Sequence, residues 1–230
     1  MTQELVAGAG LPAPPAPQLR VYLHLDDLQP QFAAYLGTPT RARGYPPYAG
    51  QHALIVEVAP GLAIERVTAL ALAAEPSVEP GILFVERQFG VLEIHADDRS
   101  ALERAGAAIL AGLGAQASDQ LAPQVLYHDI IEDVSDLHAV VVNRSREASM
   151  LLPGQTLLVL ELTPALFAAM AANEAEKAAP DLTLVNVSMI GAAGRLYLAG
   201  TTEAVTRARD AVGVALAGLA TGPAGGGGTS

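Results

Sequence analysis

Few residues in this chain have the types and spacing for chemistry. Asp26-Asp27 and Asp97-Asp98 are carboxylate pairs of the kind used in general acid–base work. Adjacent residues on an extended chain point to opposite faces, so a solvated turn or a helix cap suits each pair better than a shared proton. The five histidines (24, 52, 95, 128 and 138) show neither His-x-x-x-His nor Glu-x-x-His spacing on an expected helix, and strand or loop positions fit them better than a metal site. Cysteine is absent, which removes disulfides, thiolate metal sites and thiol nucleophiles. No P-loop, dinucleotide-binding glycine fingerprint or nucleophile elbow occurs. These residues call for neither cofactor nor metal, and no nucleophile, base and metal constellation points to an enzyme.

The remaining charged candidates are Arg41-Ala-Arg43, Arg144-Ser-Arg146, the adjacent pair Glu86-Arg87, and Lys177, which is the only lysine. An Arg-x-Arg in a polar loop is a solvated pair before it is an anion site. Glu86-Arg87, taken alone, is a strand-end ion pair worth about 0–1 kcal/mol. The net charge of −11, with no basic stripe, argues against nucleic acid or an anionic membrane as partner. The chain opens without a basic leader, and no apolar run approaches ~18 residues, so neither an export signal nor a membrane span is expected and the chain reads as cytoplasmic. Charged residues are 16% against a typical ~25%, which suggests that other subunits cover much of the outside.

The elements that must position these residues come in two copies. Leu54-Ile-Val-Glu-Val-Ala-Pro60 lies over Leu158-Val-Leu-Glu-Leu-Thr-Pro164 at an offset of 104, which also pairs Gly50 with Gly154 and Gly90 with Gly194. Upstream the offset is 106, pairing Asp26-Asp27-Leu28 with Glu132-Asp133-Val134. Two extra residues of the first copy therefore belong in a loop between Gly37 and Gly50. Each copy reads as β(β)–β–α–β–β–α, an α/β (α+β) sandwich with a mainly antiparallel sheet and a ferredoxin-like order. Pro60 and Pro164 are expected in the first turn of the helix that follows them. Those helices should end near Pro76 and Pro180, and Asp98 and Thr202 should cap the last helix of each copy. The expected division is a disordered tail over 1–18, domains over 19–122 and 123–220, and a flexible Gly-rich tail over 221–230.

The string Asn173-Glu-Ala-Glu-Lys177, continuing through Ile190-Gly191-Ala-Ala-Gly194 to Gly200, resembles the core of a bacterial microcompartment (BMC) shell domain. The strand elements that usually end that domain come first in each copy, as in its circularly permuted form. Leu25-Asp-Asp-Leu-Gln-Pro-Gln-Phe-Ala-Ala-Tyr-Leu-Gly37 and Val85-Glu-Arg-Gln-Phe-Gly90 resemble segments of the tandem-domain, trimeric shell proteins of carboxysomes. That resemblance implies a structural tile: a homotrimer forming a pseudohexagonal disc, able to stack face to face and to pack beside other shell proteins. It implies a pore where the turns Glu86-Arg87-Gln88-Phe89-Gly90 and Ile190-Gly191-Ala192-Ala193-Gly194 converge. Glu86 and Arg87 would then be a gate for anionic metabolites such as ribulose bisphosphate and phosphoglycerate. It also puts Lys177 at the tile edge, although the matching position in the first copy is Ala73. The alternatives are a shell protein of a non-carboxysome, catabolic microcompartment, and a small-molecule-binding regulatory protein of ferredoxin-like repeats.

Overall fold

The computed structural model describes residues 15–38 and 44–220. Most of the expected N-terminal tail, all of the C-terminal one, and Arg41-Ala-Arg43 lie outside the described residues. The first copy runs β1 (Gln18–Leu25), α1 (Pro30–Leu36), β2 (His52–Ala59), α2 (Ala63–Ala74), β3 (Glu79–Glu86), β4 (Phe89–Ala96) and α3 (Arg99–Leu113). The second repeats it as β5 (Gln124–Ile131), α4 (Asp136–Asn143), β6 (Thr156–Thr163), α5 (Phe167–Ala178), β7 (Thr183–Ser188), β8 (Gly194–Gly200) and α6 (Thr202–Ala220). Each copy forms a four-stranded sheet, in the orders β1-β2-β4-β3 and β5-β6-β8-β7, and every pairing is antiparallel.

The duplication holds at the level of backbone angles. Asp27 and Asp133, 106 apart, are both left-handed at φ 54° and 48°. Gly50 and Gly154, 104 apart, both have positive φ, at 89° and 81°. The bonds Leu28 N–H to Gln51 O and Val134 N–H to Gln155 O bracket the same loop in each copy. The two-residue difference therefore lies between them, in a stretch that includes residues outside the described part.

Three local expectations are corrected. The optional second strand of each copy is a short helix, α1 or α4. Pro60 and Pro164 sit three residues before Ala63 and Phe167, the first residues of α2 and α5; Gly61-Leu62 and Ala165-Leu166 make the intervening turn. Thr201, not Thr202, caps α6 through Oγ1, which accepts from Ala204 N–H at 3.2 Å; the Thr202 hydroxyl bonds Thr156 instead. Asp98 caps α3 as expected. The helices α2 and α5 end at Ala74 and Ala178, just before Pro76 and Pro180.

The first sheet is covered on both faces. Its helix side packs Leu54, Val56 and Leu92 against Ile64 of α2 and Leu102 of α3. Its other side, with Val21, Leu23, Ile55 and Val91, joins Phe32 of α1 in one apolar cluster that continues into Phe167, Ala171 and Ala175 of α5. Helix α5 thus serves two sheets, its own and that of the other repeat. The back of the second sheet holds only a small cluster around Val134, Leu151 and Leu157.

Candidate functional site

Glu86 pairs with Phe89 at the end of the β3–β4 hairpin, leaving Arg87-Gln88 as a two-residue turn. Arg87 has φ 44°, in the left-handed region, where a residue with a Cβ costs about 1–2 kcal/mol. Its counterpart 104 positions on is Gly191, with φ 120°, which adopts positive angles freely. The first repeat therefore holds a long cation where the second has no side chain. The Arg87 side chain is 91% exposed, with Nε 3.8 Å from Glu86 Oε1, a loose pair.

The two turns meet. A groove of about 370 Å³ is lined by Glu86, Arg87, Gln88 and Phe89 from one repeat, Gly191 and Ala192 from the other, and Arg20. The other expected residues of this site stand around it. Gly90 and Gly194, at the start of β4 and β8, lie hard against the carbonyls of Gly61 and Ala165, where a Cβ would clash. Ile190 packs against the apolar cluster shared by both repeats. Ala193 is half-buried beside them. Lys177 is elsewhere, in the last turn of α5, with Nζ 2.8 Å from Glu174 Oε1.

Arg20 and Glu57 adjoin the groove and are not evident from its motif. Arg20 sits at a register shift in β1, with Nε donating to Glu57 Oε1 at 2.8 Å. Its guanidinium lies 3.7 Å from the centre of the Phe89 ring, a cation–π contact that holds the base of the hairpin. Glu57 is 1% exposed; burial pushes its carboxyl up, and the Arg20 hydrogen bond and charge oppose that. The sequence signal that could have found them is a carboxylate in an apolar strand, repeated at Glu161, since a buried charge needs a partner. Glu161 takes Arg195 of β8 instead, at 2.9 Å, because Leu126 stands where the first repeat has Arg20.

The carboxylate pairs separate as their spacing implied. Asp26 meets Arg99 at 2.8 Å while Asp27 occupies the left-handed turn. Asp97 accepts from Gln51 and Asp98 caps α3. Arg146 of the second Arg-x-Arg donates to the Asn143 carbonyl at the end of α4. The buried histidine, His95, has Nδ1 3.0 Å from the equally buried Glu93. No helix among the described residues is long and apolar enough to cross a membrane.

Comparison with known proteins is consistent on what this arrangement is. Residues 19–119 match the family described as the CsoS1D N-terminal domain. The chain is 43% identical over 183 residues to carboxysome shell protein CcmP of Synechococcus elongatus, covering 80% of this chain and 84% of that one. It is 42% identical over 200 residues to carboxysome shell protein CsoS1D of Hydrogenovibrio crunogenus, covering 86% and 96%. Among solved structures it is similar to the double ringed trimeric shell protein MSM0271 from the RMM microcompartment, with 65% identity, TM-score 0.84 and coverage of 88% and 97%. The fused permuted hexameric shell protein MSM0275 from the same microcompartment matches with 47% identity, TM-score 0.84 and coverage of 88% and 98%. Identity at this level over nearly the whole of these relatives shows that the chain belongs to the CcmP and CsoS1D family of tandem-domain microcompartment shell proteins.

Proposed function

We propose that three copies of this chain form a pseudohexagonal tile of a microcompartment shell, with the two repeats (19–122 and 123–220) as its alternating domains and the Arg87 groove at its central pore. It is a structural protein of the shell, not an enzyme, like its carboxysome relatives. The observation that carries the pore reading is the convergence of Glu86–Phe89 and Gly191-Ala192 on one groove. Around a threefold axis this would set three Glu86–Arg87 pairs facing one another. Paired, they close the opening with charge-assisted bonds; swung aside, they widen it and present guanidinium groups to phosphorylated anions. Ribulose bisphosphate and phosphoglycerate are the anions this role implies in a carboxysome. Lys177 would lie at the tile edge, on the second domain only.

A second reading has its own observation. At 65% identity MSM0271 is more similar to this chain than CcmP is, and its compartment is the RMM microcompartment, so the shell tiled here would be that of a non-carboxysome compartment. The two readings share the tile and differ in the cargo. Purified compartments carrying this chain, analysed by protein mass spectrometry, separate them: carbon-fixation enzymes inside support the carboxysome, and another enzyme set supports the alternative. For the tile itself, native mass spectrometry should give three or six copies of the 23.6 kDa chain. Six would indicate stacked discs, and a single copy at every concentration would refute the tile.

A further inference from the structure

The duplication lets one contact be read twice, once closed and once open. Inside the chain, the outer face of α5 is sealed against the first repeat, with Leu166 and Ala169 inaccessible and Asn173 and Glu176 buried. The same positions on α2 are Leu62, Glu65, Ala69 and Leu72; Leu62 is 74% exposed, and Glu65 and Ala69 are exposed as well. What α5 seals on the first repeat is α1 and the back of its sheet. The matching surface of the second repeat is open: Leu137 is 80% exposed, and Val141, 64% exposed, lines a groove of about 560 Å³. Asn186 on that groove has a buried amide oxygen with no hydrogen-bond partner among the described residues.

The closed contact is an apolar seam keyed by a few polar bonds. Gln29 N–H donates to Asn173 Oδ1 at 2.9 Å, and Gln31 and Phe32 N–H donate to the two oxygens of Glu176 at 2.8 and 3.0 Å. Gln31 also bonds both backbone partners it faces, Leu182 O and Leu184 N–H. Helix α1 has no side-chain cap of its own, so Glu176 supplies one from the other repeat. In the open copy these keys are exchanged. Ser135 replaces Gln29 and caps α4 locally, Leu137 replaces Gln31, Ala69 replaces Asn173, and Leu72 replaces Glu176.

We infer that α2 of a second copy of this chain fills the open groove, with its Leu72 against Leu137, and that the exchange of polar for apolar keys makes each repeat accept only the opposite repeat. This rests on the trimer reading and adds what orders it. A mispaired α5 on α4 would bury Glu176 against Leu137, where Ser135 already takes the His138 N–H that one of its oxygens needs. A mispaired α2 on α1 would leave the Gln31 and Phe32 N–H groups uncapped behind Leu72, and the Gln29 N–H facing the methyl of Ala69. Both errors strand buried polar groups, which is how an interface rejects a wrong partner. The correct head-to-tail contact closes a ring. Arg66, exposed on α2, brings hydrogen-bond donors toward the groove that holds the unpaired Asn186 oxygen.

The chain has no cysteine, so Leu72→Cys with Leu137→Cys introduces a unique pair. Oxidation should convert it to a covalent trimer on a non-reducing gel. Leu137→Glu should reduce the native mass from three or six chains to one while its circular dichroism stays that of the folded chain. If the wild-type protein is trimeric but the cysteine pair forms no interchain bond and Leu137→Glu remains trimeric, the interface proposed here is wrong and the tile stands. If the wild-type protein is a single chain, the tile itself fails.

Discussion

Leu62 and Leu166 are the same residue at the same place, the N-cap of α2 and of α5, with φ −66° and −65°, yet one is 74% exposed and the other fully buried. Local sequence cannot produce that difference; the neighbour in space does. Leu166→Ala should cost about 2–5 kcal/mol of folding stability, the usual range for a sealed leucine. Leu62→Ala should change it by about 0.5 kcal/mol or less in the separated chain. Urea melts on the single-chain Leu137→Glu background test this, and equal losses would contradict the exposure difference.

Arg87 holds a left-handed backbone angle that a glycine would adopt without strain. Arg87→Gly should stabilise the protein by about 1 kcal/mol by relieving the turn, and should remove the guanidinium from the groove. Glu86→Ala with Arg87→Ala should leave the trimer intact with its pore open. A crystal structure of that double variant with a closed pore would refute the gate.

Arg20 is the counter-charge of a carboxylate that is 1% exposed. Arg20→Ala should cost about 3 kcal/mol at pH 7, as breaking a buried pair does. Burial already raises the Glu57 carboxyl, and losing Arg20 removes what opposes that, so the folded variant holds the Glu57 proton to higher pH than the wild type. Its deficit should therefore shrink between pH 7 and pH 5, which urea titrations at the two values would show. The Phe89 ring would lose its cation at the same time, loosening the hairpin beneath Arg87.

Glu93 is fully buried, with His95 Nδ1 at 3.0 Å and Glu79 on the far side of that imidazole. Burial raises its carboxyl above the ordinary 4.5, against the hydrogen bond and charge of His95. A raised acid binds its proton more tightly when folded, so its contribution to stability is complete below the ordinary value and is lost as pH rises through the folded one. Glu93→Gln should therefore melt higher than the wild type at pH 7, with the gap closing toward pH 4. A gap that widens on acidification would show that the ion pair outweighs the burial.

The repeat, its strands, the ends of α2 and α5 and the Asp98 cap were legible because each depends on residues within a few positions of one another. The motif Glu86–Gly90 and its counterpart at 190–194 were legible for the same reason, as hairpin turns at a fixed offset. Helix α1 was not: it is seven residues long, begins at a proline, and its cap comes from Glu176, about 145 positions away in the chain. Thr201 and Thr202 look alike in sequence, and only the approach of Thr156 to Thr202 decides which of them caps α6. Arg20 meets Glu57 and Phe89 because three strands bring them side by side. Periodicity and capping determine which elements form. The burial of α5 and the exposure of α2, which hold matching places in the two repeats, were decided by tertiary packing, because a single chain brings a neighbouring repeat against only one of the two helices.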